Sequence, residues 1–123
     1  MDKTSYARLY MFPFSKIPKG ERIVVWGKGS VGTQYYKELT TIDYAEKILW
    51  VDTDSVINEQ DFVEKNNTSY FVIGILSDRI RKEITTKLLR CGIETKYIID
   101  DKPKSIIFSP SWYARNEKKN WVY

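Results

Sequence analysis

Val24-Val25-Trp26-Gly27-Lys28-Gly29-Ser30-Val31-Gly32 is the stretch whose reading decides the fold. The run from Glu21 to Trp26 that leads into it is short, apolar and rich in β-branched residues, which argues a buried strand. Gly27 ends that run. Beyond it Val31, Tyr35 and Leu39 recur four apart and share one face of a helix. The six residues from Gly27 to Gly32 have the spacing G-x-G-x-x-G, and a strand before and a helix after are the context that gives this spacing meaning. Gly27 allows a tight turn out of the strand, Gly29 has no Cβ to keep a pyrophosphate from the backbone, and Gly32 lets the helix pack close to the sheet. The N–H groups and dipole of the helix start then favour an anion. The alternative is a glycine-rich strand-to-helix turn that binds nothing.

Working outward, Ile48-Leu49-Trp50-Val51 reads as a second buried strand, stopped by Asp52 and Asp54. Residues 53–67 are polar, with a turn signal at Asn66-Asn67 and room for one helical turn from Gln60 to Lys65. Residues 70–75 form a third strand. Ser77 or Asp78 is a good N-cap for a helix whose buried stripe is Ile80, Ile84 and Leu88, and Gly92 supplies its left-handed stop. Tyr97-Ile98-Ile99 reads as a fourth strand and Ile106-Ile107-Phe108 as a short fifth. Strands alternating with amphipathic helices imply a parallel sheet. The expectation is a single small Rossmann-like α/β domain over residues 21–108, with a parallel sheet of four to five strands flanked by helices. Its first strand lies near the centre, between the second and third. Residues 1–20, with Pro13 and Pro18, read as an irregular leader, and 109–123 as an aromatic and charged tail.

Asp52 falls at the end of the second strand, 20-odd residues beyond the glycines, where a carboxylate can accept hydrogen bonds from both ribose hydroxyls. The same charge repels a 2′-phosphate, which favours NAD over NADP. Asp54 is a backup for this role, and a plain polar strand end is the alternative for both. Lys28 either adds to phosphate attraction or extends into solvent. Gly74 permits close ligand approach, and Ser77 either caps its helix or offers a hydroxyl to phosphate or sugar.

Other classes are disfavoured. The chain has no histidine, and no tyrosine is followed four residues later by lysine, so the usual proton donors of an oxidoreductase are missing. Asp100 and Asp101 read as loop carboxylates. One cysteine, Cys91, excludes an internal disulfide and, without histidine, argues against a metal site or a nucleophile. The net charge is +4, and the basic residues (Lys16 and Lys19; Arg79, Arg81 and Lys82; Lys118 and Lys119) each have acids nearby, so they read as solvated surface and not as a nucleic-acid stripe. No apolar run approaches the ~18 residues of a membrane span, and no signal peptide is evident, so a cytoplasmic location is expected.

Phe12-Pro13-Phe14-x-x-Ile17-Pro18-x-Gly20, followed by Ile23-Val24-Val25-Trp26-Gly27-x-Gly29-x-Val31-Gly32, resembles the small Rossmann-like domains attached to bacterial polysaccharide-biosynthesis proteins, including glycosyltransferases and nucleotide-sugar-modifying enzymes. Ile48-Leu49-Trp50-Val51-Asp52 and Leu88-Leu89-x-x-Gly92-Ile93 fit the same pattern. Lys28 departs from it, standing where alanine is usual. The resemblance implies a nucleotide or nucleotide-sugar ligand without fixing which, and together with the Asp52 reading and the missing proton donors the expectation is noncatalytic binding of NAD or a nucleotide-sugar in polysaccharide biosynthesis. An NAD-dependent oxidoreductase, or its cofactor half, and a ligand-free scaffold for protein contacts are the alternatives. Tyr10, Phe12 and Phe14 before the fold, and Trp112, Tyr113, Trp121 and Tyr123 after it, suggest a homodimer or docking onto a polysaccharide-biosynthesis enzyme, or else ends that fold back over the same chain.

Overall fold

The computed structural model describes residues 7–56 and 58–108. Its centre is a four-stranded sheet of β2 (Arg22–Trp26), β3 (Lys47–Val51), β4 (Tyr70–Ile73) and β5 (Ile98–Ile99), in the order β3-β2-β4-β5. Every pairing in it is parallel, with Ile23 opposite both Ile48 and Tyr70 and Val25 opposite Trp50 and Val72. The first sheet strand is therefore flanked by the second and third, as its near-continuous apolar run requires. Ile23 to Trp26 are each at most 1% exposed.

The two-residue period of the strands sorts their side chains onto two faces. Ile23, Val25, Val72 and Ile99 pack with Val31, Tyr35 and Leu39 of α1 (Ser30–Thr41). Val24, Trp26, Phe71, Ile73 and Ile98 pack with Val63 of α2 (Glu59–Lys65) and with Ile84 and Leu88 of α3 (Asp78–Arg90). The result is a three-layer α/β architecture of Rossmann-like type. Asn58 caps α2 by accepting from the Asp61 N–H at 2.9 Å. At the far end of α3, the N–H groups of Gly92 and Ile93 return to the carbonyls of Leu89 and Leu88, with Gly92 at φ +97°. That double bond is the Schellman stop expected of glycine.

Two elements differ from the sequence reading. The leader is not irregular throughout: Ala7–Met11 forms β1, antiparallel to β6 (Lys104–Phe108). The fifth strand exists, as β6, but it pairs with β1 in a separate two-stranded sheet and does not extend the parallel one. Pro103 follows β5 after three residues of irregular chain, and the chain then meets an antiparallel partner that only tertiary structure brings near. The ribbon lies on α1. There Tyr10 and Phe12, 8% and 3% exposed, join the core beside Tyr35. The Tyr10 N–H donates to Gln34 Oε1 and the Phe12 N–H to the Glu38 carboxylate, each at 3.2 Å. Gln34 and Glu38, one helical turn apart, thereby cover backbone donors that β6 does not reach. The aromatic leader is thus core of its own chain, with Phe14 half-buried against Phe12 and Tyr44. Trp112, Tyr113, Trp121 and Tyr123 lie outside the described residues.

Burial pushes Glu38 above the usual carboxylate range, and the bond from the Phe12 N–H only partly opposes it. A raised folded-state pKa makes the folded chain bind the proton more readily than the unfolded chain. Its stabilising effect is fully present below the unfolded pKa and is lost as pH rises through the folded value. Glu38→Gln keeps an acceptor for Phe12 and carries no charge. Urea unfolding should show the glutamine variant gaining on wild type between pH 4 and pH 7; a gap that narrows toward pH 7 would mean that the hydrogen bond outweighs burial.

Candidate functional site: a cleft at the carboxyl edge of the sheet

In a parallel sheet every strand ends at the same edge. β2 here sends its chain through α1 to β3 on one side, and the chain returns through α2 to β4 on the other. The crevice between the loops that follow these strands is where ligands bind in such sheets. A cleft of about 390 Å³ lies there. Its walls are the turn Gly27 to Val31, the segment Asp52 to Asp54 after β3, and Gly74 to Leu76 after β4, with Trp26 at its base. Of the expected residues, Gly27, Lys28, Gly29, Ser30, Val31, Asp52, Asp54 and Gly74 are brought together in this lining. Gly32 and Ser77 are not in it.

Gly32 stands behind the cleft and shapes it. A Cβ on Gly32 would lie 1.8 Å from the Gly27 carbonyl oxygen. A Cβ on Gly27, whose φ is +129°, would lie 2.6 Å from the Gly74 carbonyl oxygen, and one on Gly74 would lie 3.1 Å from Gly32 Cα and from Tyr35 Cδ2. Turn, helix and β4 therefore meet backbone to backbone at three glycines. Gly29 is the opposite case, because a Cβ there would meet nothing within 4 Å. The first intrahelical bond of α1 runs from the Thr33 N–H to the Gly29 carbonyl at 3.0 Å. The N–H groups of Ser30, Val31 and Gly32 precede that ladder, and Gly29 brings no side-chain cap.

Ser77 turns out to be the N-cap of α3, accepting from the Ile80 N–H at 3.2 Å. Asp52 follows β3 at the cleft's edge, and Asp54 lies in a helical turn, Thr53–Ser55, whose first residue accepts from the Trp26 indole N–H at 3.3 Å. Lys28 holds its ammonium 5.4 Å from the centre of the Trp50 ring, which itself stacks on Tyr36 at 4.5 Å. Both readings of Lys28 were incomplete: it borders the cleft, but its cation rests on an aromatic face.

Two residues that sequence reasoning passed over help build the site. Trp50, read only as part of a buried strand, donates its indole N–H to the Gly27 carbonyl at 2.7 Å and so fixes the turn. Arg81, read as solvated surface, is 7% exposed. Its guanidinium donates to the carbonyls of Ile75 (2.9 Å), Leu76 (2.8 Å) and Asp100 (3.2 Å), and it pairs with Asp78. It thereby ties one wall of the cleft to the end of β5. A signal was present for Arg81, which falls between Ile80 and Ile84 at the start of a helix that must lie on the sheet. The three carbonyls it meets could not be read from the sequence.

Comparison with protein-family models, with curated proteins and with solved structures gives no match. Among the described residues no helix is long and apolar enough to cross a membrane.

Gly32→Ala and Gly29→Ala should separate packing from binding space. Alanine gains about 1 kcal/mol over glycine in a helix. At Gly32 that gain is outweighed, because the obstructing Gly27 carbonyl is backbone already held by Trp50, and overpacking of this kind costs about 1–3 kcal/mol or more. Urea denaturation should show Gly32→Ala clearly destabilised and Gly29→Ala within about 1 kcal/mol of wild type. Equal stability of the two variants would refute the interlocked-glycine account.

Proposed function

We propose that this chain binds a nucleotide or nucleotide-sugar, NAD or an NDP-sugar, without catalysing a reaction on it. One observation carries the reading: the space over Gly29 is open, at the point where the connections from the central strand diverge, with Asp52 across the cleft. A pyrophosphate at Gly29 would meet the N–H groups that open α1. In this reading Asp52, in the opposite lining of the cleft, accepts from the ribose hydroxyls, with Asp54 as a second acceptor. A ligand-free scaffold is less well supported, because among the described residues no side chain comes within 4 Å of a Cβ built on Gly29. Independent catalysis is also less well supported. Asp101 pairs with Lys16 and Asp100 accepts from Thr85, and neither borders the cleft.

The resemblance of the leader and glycine turn to domains of bacterial polysaccharide-biosynthesis proteins suggests the setting. In this reading the chain presents its ligand to such an enzyme, or to a second copy of itself, and the partner carries the chemistry. Tyr10 and Phe12 take no part in that contact, since they are buried in their own chain.

A thermal-shift screen with NAD, NADP and UDP-, GDP- and CDP-sugars tests the binding. A ligand at about 100 times its Kd adds ~2.7 kcal/mol, which raises the melting temperature by roughly 10 °C. Gly29→Val should abolish that shift while the unliganded protein melts as wild type, because the added side chain fills the pyrophosphate space and nothing else. A valine variant with unchanged affinity for the best ligand would place the site elsewhere.

A further inference from the structure

A second cavity opens at the same edge of the sheet, beyond β5. It measures about 200 Å³, and its lining has two parts: a floor of Phe12, Phe14 and Tyr35, and a rim of Lys16, Asp101, Lys102 and Lys104. We infer that this cavity is a second ligand site, independent of the nucleotide reading, for a small organic anion with a carboxylate or phosphate head on a flat apolar body.

The walls are built in advance. Phe12 is fixed by the Glu38 carboxylate at its N–H and by edge-on contacts with Phe14 and Tyr35, whose ring centres lie 4.9 and 5.3 Å away. The following loop is pinned where the Tyr44 hydroxyl donates to the carbonyls of Ile17 (2.6 Å) and Phe14 (3.3 Å). On the far side, the chain after β5 is held at Asp100, where Arg81 donates to the backbone carbonyl and the Thr85 hydroxyl to the side-chain carboxylate. Lys16 and Asp101 join the two sides by an ion pair at 3.3 Å. Little reorganisation is therefore needed on binding, which is a main source of affinity for a small ligand.

The charge is also arranged for an anion. Three lysines face one carboxylate. Lys16 is engaged by Asp101, whereas Lys102 and Lys104 make no ion pair among the described residues. Tyr35 is 2% exposed, and burial, with the charges of Glu38 and Asp101 acting against Arg81, pushes its phenol up to about 12. It therefore keeps its proton and remains a hydrogen-bond donor at any ordinary pH. A floor whose half-buried ring is Phe14, edged by the protonated Tyr35 phenol and by two lysines with no ion pair among the described residues, matches an aryl carboxylate or aryl phosphate better than a bare ion, which would make no use of the ring. The volume, below that of sites for drug-sized ligands, limits the body to about one ring.

Amide-resolved NMR titration of the full chain with benzoate, phenyl phosphate and inorganic phosphate tests this. Benzoate or phenyl phosphate should move the amides of Phe12, Phe14, Lys16, Asp101 and Lys102 together, and inorganic phosphate should do so more weakly. The relative response to the two aryl probes identifies the head group. Tyr35→Phe keeps the ring and its packing; it should lose about tenfold in affinity, the size of one hydrogen bond to a charged group. Lys102→Gln with Lys104→Gln, two exposed positions, should weaken binding at least as much without changing the melting temperature. Gly29→Val should leave this binding intact, so that failure here and failure of the nucleotide site are distinguishable. The inference is overturned if no probe moves these amides up to about 10 mM, beyond the millimolar range of weak recognition, or if both variants bind as wild type.

Discussion

The carbonyl of Gly27 and the Cα of Gly32 occupy neighbouring space that no side chain can share, since a Cβ on Gly32 would come within 1.8 Å of that oxygen. Much else follows from this contact. It presses the first turn of α1 onto the end of β2, which aims the helix's leading N–H groups at the carboxyl edge of the sheet. It places Tyr35, one turn further on, against Gly74 of the neighbouring loop. It leaves the Gly27 carbonyl turned toward β3, where the Trp50 indole accepts the task of satisfying it. A buried carbonyl without a partner would cost about 1–3 kcal/mol, so the tryptophan at the sheet's edge belongs to the turn as much as to the strand.

Arg81 performs the matching task on the other side. A buried guanidinium is costly unless its donors are met, and here carbonyls from two loops and the Asp78 carboxylate meet them. Those loops follow β4 and β5. The cleft wall at Ile75 and Leu76 and the end of β5 beside the second cavity are therefore set by one side chain. Tyr35 makes a second link: its ring backs Gly74, which lines the cleft, and also floors the second cavity. The two cavities are separate spaces with shared supports.

What could be read from the sequence was what depends on spacing along the chain. The apolar strand runs, the four-residue recurrence of Val31, Tyr35 and Leu39, the glycine spacing and the stop at Gly92 are local patterns, and the parallel sheet with β2 inside follows from their alternation. Eight of the ten expected site residues line the cleft because loops after parallel strands converge without further instruction. Elements set by long-range partners were not legible. β1 needs β6, almost 100 residues later, and its outer donors need Gln34 and Glu38. Arg81 stood beside the apolar stripe of its helix, but nothing local says that three carbonyls will converge on it. Trp50 looked like core because the indole's single N–H had no visible partner in sequence.

The position of Lys28 bears on how the cleft could accept charge. Its ammonium rests on Trp50, an interaction of about 0.5–1 kcal/mol at a site this open. A hydrogen bond to a charged oxygen contributes about 1.5–3 kcal/mol, so the phosphate of the proposed ligand would outweigh the aromatic face as a partner for the lysine. Trp50 is fixed in turn by its bond to Gly27 and by the Tyr36 stack, so it need not move when the lysine leaves. The one charged side chain of the glycine turn thus rests on a rigid aromatic platform at the border of the cleft, so its position is set by Trp50 and, through Trp50, by the same Gly27 carbonyl that packs against Gly32.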